Sequence, residues 1–190
     1  MGTAGSYGPE IGSDGPDQPW FRVGNYRLDG VRYTGSAFMD VDVRLENMQA
    51  SGIEFQVLSP NPLTYFHHIE PGQAVAYCRR HNDELAALVS QHPNRLAALA
   101  SLPMQSPEAA REELVRAVRE LGMRGACIGA ELPLALDSEQ LDEFYASVCE
   151  LDVPLFIHPA PSGIDGPKGD KRLQRFELEV APAFFPAVDA

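Results

Sequence analysis

Val153-Pro154-Leu155-Phe156-Ile157-His158-Pro159 is a short apolar run that stops on a histidine and a proline. Strands that read apolar at successive positions belong in a parallel sheet whose two faces are both covered. Three earlier stretches read the same way: Ile53 to Ser59, which ends at Pro60; Leu96 to Leu102, which ends at Pro103; and Gly125 to Ile128. Helical periods lie between them. Residues near 71 to 91 place Val75, Cys78, Leu85, Leu88 and Val89 on one face. Ser106-Pro107 pairs an N-cap with a first-turn proline and opens a helix that buries Ala110, Leu114, Val118 and Leu121, stopped by Gly122. Asp137 with Gln140 forms a capping-box pattern ahead of a stripe of Leu141, Phe144, Tyr145, Val148 and Leu151. The alternation of strand and helix predicts βαβ units and an α/β fold. A flavodoxin-like sheet and a segment of a (β/α)8 barrel are both compatible with it.

Working outward, Met39 to Ser51 reads as a helix with Val41, Leu45 and Met48 on one face and Gly52 at its end. Asp29-Gly30, between short alternating segments, is a hairpin signal. The polar stretch Met1 to Pro19, rich in Gly, Ser, Pro and Asp, reads as a flexible segment without the basic start and apolar core of a signal peptide. Gly163 to Lys171 reads as a loop. Phe176 to Val180 opens an element that Ala181 to Pro186 stops. The expected organisation is a flexible segment over 1–19, a barrel-type domain over 20–180 and an atypical tail over 181–190.

Of the 190 residues, 44% are hydrophobic and 22% charged, an ordinary globular mix. A net charge of -12 argues against a nucleic-acid partner, since phosphate contacts need a basic surface. No apolar run is long enough for a membrane span. Cys78, Cys127 and Cys149 are widely spaced and odd in number, so neither a disulfide framework nor a paired-cysteine metal site is expected. Cys127 and Cys149 read as buried small hydrophobes. A reducing cytoplasm is the expected compartment.

His158 is the sharpest chemical candidate. It follows an apolar strand at the end where barrel enzymes place catalytic groups, and a neutral imidazole there can hold a metal. From spacing alone, a histidine hydrogen-bonded at a strand edge is the competing reading. His67-His68, in the loop after the first complete strand, read as a solvated pair, with a loop or lid role as the alternative. His81 and His92 read as surface residues. Arg22 follows an aromatic pair and offers a fork for a carboxylate; by position alone it reads as a solvent-facing arginine on a hairpin. Asp40, Asp42, Glu46 and Glu54 have no acid/base spacing. The chain contains no glycine-rich phosphate loop and no Gly-x-Ser-x-Gly elbow.

Six stretches stand out together: Phe21-Arg22-Val23, Leu58-Ser59-Pro60-Asn61-Pro62, Asn82-Asp83-Glu84-Leu85-Ala86, Ser101 to Pro107, Glu120 to Gly125, and Leu155-Phe156-Ile157-His158-Pro159. In their order and spacing they resemble the amidohydrolase-related family in its decarboxylase-like branch, that of aminocarboxymuconate-semialdehyde and resorcylate decarboxylases. The likeness runs from about Phe21 to Glu179. It implies about half of a distorted (β/α)8 barrel of the metal-dependent hydrolase superfamily, with a divalent metal, usually zinc. It implies that His158 is a metal ligand and that Arg22 helps hold the carboxylate of a small-molecule substrate. The implied activity is release of CO2 from an unsaturated or aromatic acid. The alternatives are hydrolysis of an amide, ester or lactone, and a non-catalytic half-barrel that binds a partner. A homodimer is the assembly such proteins often adopt.

The departures set further expectations. Nothing before Trp20 has the family's His-x-His form, and Ala160 stands where the decarboxylase proper has tryptophan after His-Pro. The family's later catalytic histidine and metal-binding aspartate have no counterpart in this sequence. The chain therefore reads as truncated at both ends and inactive by itself. A barrel of this kind usually takes about 250 residues.

Overall fold

The computed structural model of the chain describes residues 9–23, 26–130 and 132–158. The expected loop after Gly163, the element near Phe176 and the tail over 181–190 lie outside them.

The first unit is an antiparallel sheet. Strand β1 (Glu10–Ser13) pairs with β2 (Pro19–Val23), which pairs with β3 (Tyr26–Asp29). The stretch read as a flexible segment thus has a strand inside it. β2 and β3 pair from Val23 with Tyr26 to Trp20 with Asp29, so Asp29-Gly30 does not turn this hairpin; Gly30, at φ 77°, instead closes the far end by donating to the Pro19 carbonyl at 2.8 Å. Phe21 and Val23 are buried against Tyr33, Leu63, Phe66 and Ile69, which docks this sheet on the loop that carries the two adjacent histidines.

The second unit alternates as expected: α1 (Val41–Ala50), β4 (Gln56–Leu58), α2 (Pro71–Ser90), β5 (Leu96–Ala98), β6 (Ala100–Ser101), α3 (Pro107–Arg119), β7 (Ala126–Gly129), α4 (Asp142–Leu151) and β8 (Leu155–His158). The parallel ladders run β4-β5 and β6-β7-β8. Leu99 stitches the two together, because its N–H reaches the Leu58 carbonyl at 2.8 Å while the adjacent Ala100 N–H reaches Gly125. The small-residue strand read from sequence is therefore one path, broken at Leu99.

Local chemistry explains the boundaries. The Asp40 carboxylate caps α1 by accepting from the Asp42 and Val43 N–H groups. Ser106 caps α3 with Pro107 in its first turn, and Gly122, at φ 69°, follows that helix. Asp137 does not cap α4. Ser138 caps a short 3-10 turn, Glu139–Leu141, and α4 begins at Asp142 with no side-chain cap.

Strand alternation sorts the sheet into two faces. Ala98, Ala100, Leu102, Ala126 and Ile128 pack with Leu114, Leu141 and Phe144 in the main core under α2, α3 and α4, and Leu155 and Ile157 lean on it. Leu99, Cys127, Phe156 and His158 take the opposite face. That face is not covered as the apolar strands predicted: Phe156 is 50% and Val57 52% exposed.

Candidate active site at the strand ends

His158 ends β8, and its register partner is Gly129, the last residue of β7. The Ala130 N–H donates to the His158 carbonyl at 2.9 Å, which fixes the strand end that carries the imidazole. Phe156, two residues earlier on the same face, has its ring centroid 6.1 Å from that of His158.

The loop after β4 brings a second histidine to this end. Asn61 caps a 3-10 turn, Pro62–Thr64, and the chain then crosses the open face. Tyr65 sits over Cys127, oxygen to sulfur 3.0 Å, and its ring stacks on that of His67 at 5.5 Å. His67 Nε2 accepts the Gly129 N–H at 3.2 Å. A neutral imidazole carries one proton, so this bond places it on Nδ1. Nδ1 is shielded from solvent and has no acceptor among the described residues. An unsatisfied buried donor costs about 1–3 kcal/mol. Burial, with His68 beside it, pushes His67 down to about 3, so it is neutral across the physiological range.

The solvated-pair reading is therefore corrected for His67. The signal lay in tertiary contact: the ring fits because residue 129 is glycine. A Cβ there would lie 3.0 Å from Tyr65 Cδ2 and 3.1 Å from His67 Nε2. The loop is held from outside. Phe66 adopts a left-handed φ of 50°, costing about 1–3 kcal/mol for a non-glycine residue. The Gln105 amide, from the loop after β6, donates to the Phe66 and Ile69 carbonyls at 2.5 and 3.2 Å.

Other candidates fall elsewhere. Arg22 projects from β2 opposite the buried Phe21 and Val23; its guanidinium pairs with Glu10 and lies 5.7 Å from the Trp20 ring. His81 is a correction. Its Nδ1 is buried without a described partner, and burial lowers its pKa. It lines a hollow of about 720 Å³ beside β4 and α1, with Tyr33, Phe38, Arg44, Val57 and Asn61. That hollow touches neither His67 nor His158. Cys127 is buried as expected, whereas Cys149 is exposed. Burial raises the Cys127 thiol and the Tyr65 hydroxyl, so neither is an ionised nucleophile near neutral pH.

Among the described residues, no three His, Cys, Asp or Glu side chains are placed to hold one metal ion. His67 cannot supply a missing ligand, since Nε2 is occupied and Nδ1 carries the proton. The described residues alone do not fit a complete divalent-metal centre. No described helix is long and apolar enough to cross a membrane.

Residues 39–187 match the model of a protein family described as Amidohydrolase. The chain is 39% identical over 125 residues to a gamma-resorcylate decarboxylase of Rhizobium sp. (strain MTP-10005), covering 62% of this chain and 38% of that protein. It is 35% identical over 135 residues to a 2-amino-3-carboxymuconate-6-semialdehyde decarboxylase of Dictyostelium discoideum, covering 70% and 38%. Among solved structures, a dihydroxybenzoic acid decarboxylase from Polaromonas sp. JS666, with bound manganese and the inhibitor 2-nitroresorcinol, aligns with a TM-score of 0.61 and 32% identity over 74% of this chain and 43% of that one. The chain thus spans 38% of the length of the two curated relatives and 43% of the solved one.

Proposed function

The chain belongs to the amidohydrolase family, and from that premise we propose that the protein carrying it is a metal-dependent carboxy-lyase acting on an aromatic or unsaturated carboxylic acid. The observation that supports this most is the placement of His158. It stands on the open face of a parallel sheet, at the C-terminal strand end where (β/α)8 enzymes assemble their sites. The fold is part of such a barrel, and the relatives it matches are decarboxylases.

In this reading His158 is one ligand of a divalent ion, zinc or manganese. The remaining ligands come from outside the described residues. Arg22 is the proposed carboxylate-binding residue: a substrate carboxylate takes the place that Glu10 now holds on the guanidinium. Residues 20–180 are assigned to one barrel domain. The free cysteines among the described residues support a reducing, cytoplasmic setting.

A hydrolase reading is supported by the family description alone, and product chemistry separates the two. The protein is incubated with Mn2+ or Zn2+ and 2,6-dihydroxybenzoate labelled with 13C at the carboxyl, and in parallel with aryl esters and lactones. Labelled CO2 together with resorcinol is the expected result. Hydrolysed ester or lactone without labelled CO2 contradicts the carboxy-lyase reading.

A further inference from the structure

We infer that His67 is a ligand-binding residue of this site, donating its Nδ1–H to an oxygen of the bound acid. The inference rests on the carboxylic-acid reading above and adds a residue that the sequence pattern left as a solvated pair.

Two residues, Gly129 and Gln105, orient this one ring. The Gly129 N–H occupies Nε2, which forces the proton onto Nδ1. Gly129 itself lacks the side chain that would push the ring away. Gln105 holds the Phe66 backbone in its left-handed conformation, immediately before His67. They hold Nε2 against the end of β7, whose last residue is in register with His158. Nδ1–H, across the ring from that bond, is buried and has no acceptor among the described residues.

A buried donor held without a partner is what a binding site needs when its acceptor arrives with the ligand. A neutral N–H suits a carboxylate or a phenolic oxygen and rejects an ammonium group. The ring stays neutral because burial penalises its charged form, with His68 beside it acting in the same sense. Because Nδ1 is shielded, its acceptor is either a ligand that closes over the ring or a single trapped water.

The test compares the full chain with His67→Phe and His67→Gln, each checked for folding by circular dichroism. Binding of 2,6-dihydroxybenzoate, benzoate and resorcinol is measured by calorimetry, with CO2 release followed in parallel. We expect His67→Phe to weaken 2,6-dihydroxybenzoate by about 10-fold or more, the scale of one lost hydrogen bond, and His67→Gln to recover part of it. The probe that binds all variants alike lacks the accepting oxygen, so benzoate and resorcinol separate hydroxyl from carboxylate. Equal binding by His67→Phe overturns the inference and leaves a trapped water as the acceptor. Absence of binding to the wild-type chain overturns it as well. His67-dependent binding without CO2 release keeps the inference, since the carboxy-lyase reading concerns the protein that carries this chain and fails only in the labelled-CO2 experiment above; CO2 release with equal binding keeps that reading and overturns the inference. Should His67→Phe not fold, the 15N resonance of His67 Nδ1 in the wild-type chain decides. A shift on adding 2,6-dihydroxybenzoate supports the inference, and none overturns it.

Discussion

At the scale of single residues, His67 and Arg22 give separable expectations. The folded chain holds His67 near 3, against 6.5 when unfolded. Below pH 6.5 the unfolded chain therefore binds the extra proton. The stability contribution is fully present above 6.5 and is lost as pH falls toward 3. The slope is about 1.4 kcal/mol per pH unit at most, and the lowered His81 adds to it in the same sense. Urea midpoints measured between pH 7 and 4 should fall less steeply for His67→Phe than for the wild type. Arg22 sits in an exposed pair with Glu10, so Arg22→Ala should change stability by less than about 0.5 kcal/mol. If Arg22 holds the substrate carboxylate, the same change should raise KM about 10- to 100-fold, the scale of a lost charged hydrogen bond, with Arg22→Lys in between. An unchanged KM removes Arg22 from the site. The position of His158 at a strand end was legible in the sequence because a histidine and a proline stopping an apolar run is a local signal. His67 was not, because its burial and its tautomer depend on Gly129, 62 residues away.

At the scale of elements, two contacts hold the layers. Asn82 of α2 exchanges hydrogen bonds with the Ser101 backbone, 2.8 and 2.9 Å, and donates to Glu113 at 2.7 Å. Glu113, only 3% exposed, is forked by Arg116, which also reaches Asp83. This network pins α2 and α3 to β6. Removing Arg116 leaves the buried Glu113 carboxylate with Asn82 at 2.7 Å and a longer pair to Arg79 at 3.7 Å, so Arg116→Ala should cost about 1–3 kcal/mol in chemical denaturation. A loss under 1 kcal/mol contradicts that role. Gly125 lies between α3 and β7 at φ 144°, and a Cβ there would lie 2.2 Å from the Pro154 carbonyl oxygen. Gly125→Ala should therefore prevent the β7–β8 approach and lower the melting temperature sharply, whereas Gly15→Ala, in open contact with one flexible side chain, should not. The strands and helices of the α/β unit were legible because their periods are local. The pairing of the hairpin and strand β1 were not: Asp29-Gly30 is a strong turn pair used to close the sheet's other end. The cover of the open face was also misjudged, because composition says that a strand is apolar and not what lies against it.

At the scale of the whole molecule, four parallel strand paths carry helices on one face and leave the other open, with Val57 and Phe156 half exposed. His158 and His67 stand at the C-terminal rim of that face, which is where a (β/α)8 architecture builds its sites, while the face itself is the side that such barrels fill with core side chains. The half-barrel and its family were readable from the order and spacing of short motifs. Of the proposed metal centre the sequence offered one candidate, His158, and among the described residues no three His, Cys, Asp or Glu side chains gather to complete it. The measurement that tests the central claim most directly is pulsed electron paramagnetic resonance of Mn2+ added to the protein, wild type against His158→Ala. The account predicts a 14N coupling from one imidazole that disappears in His158→Ala, with manganese affinity falling about 10-fold or more. A coupling that persists unchanged in His158→Ala, or manganese that binds with no nitrogen coupling at all, contradicts it.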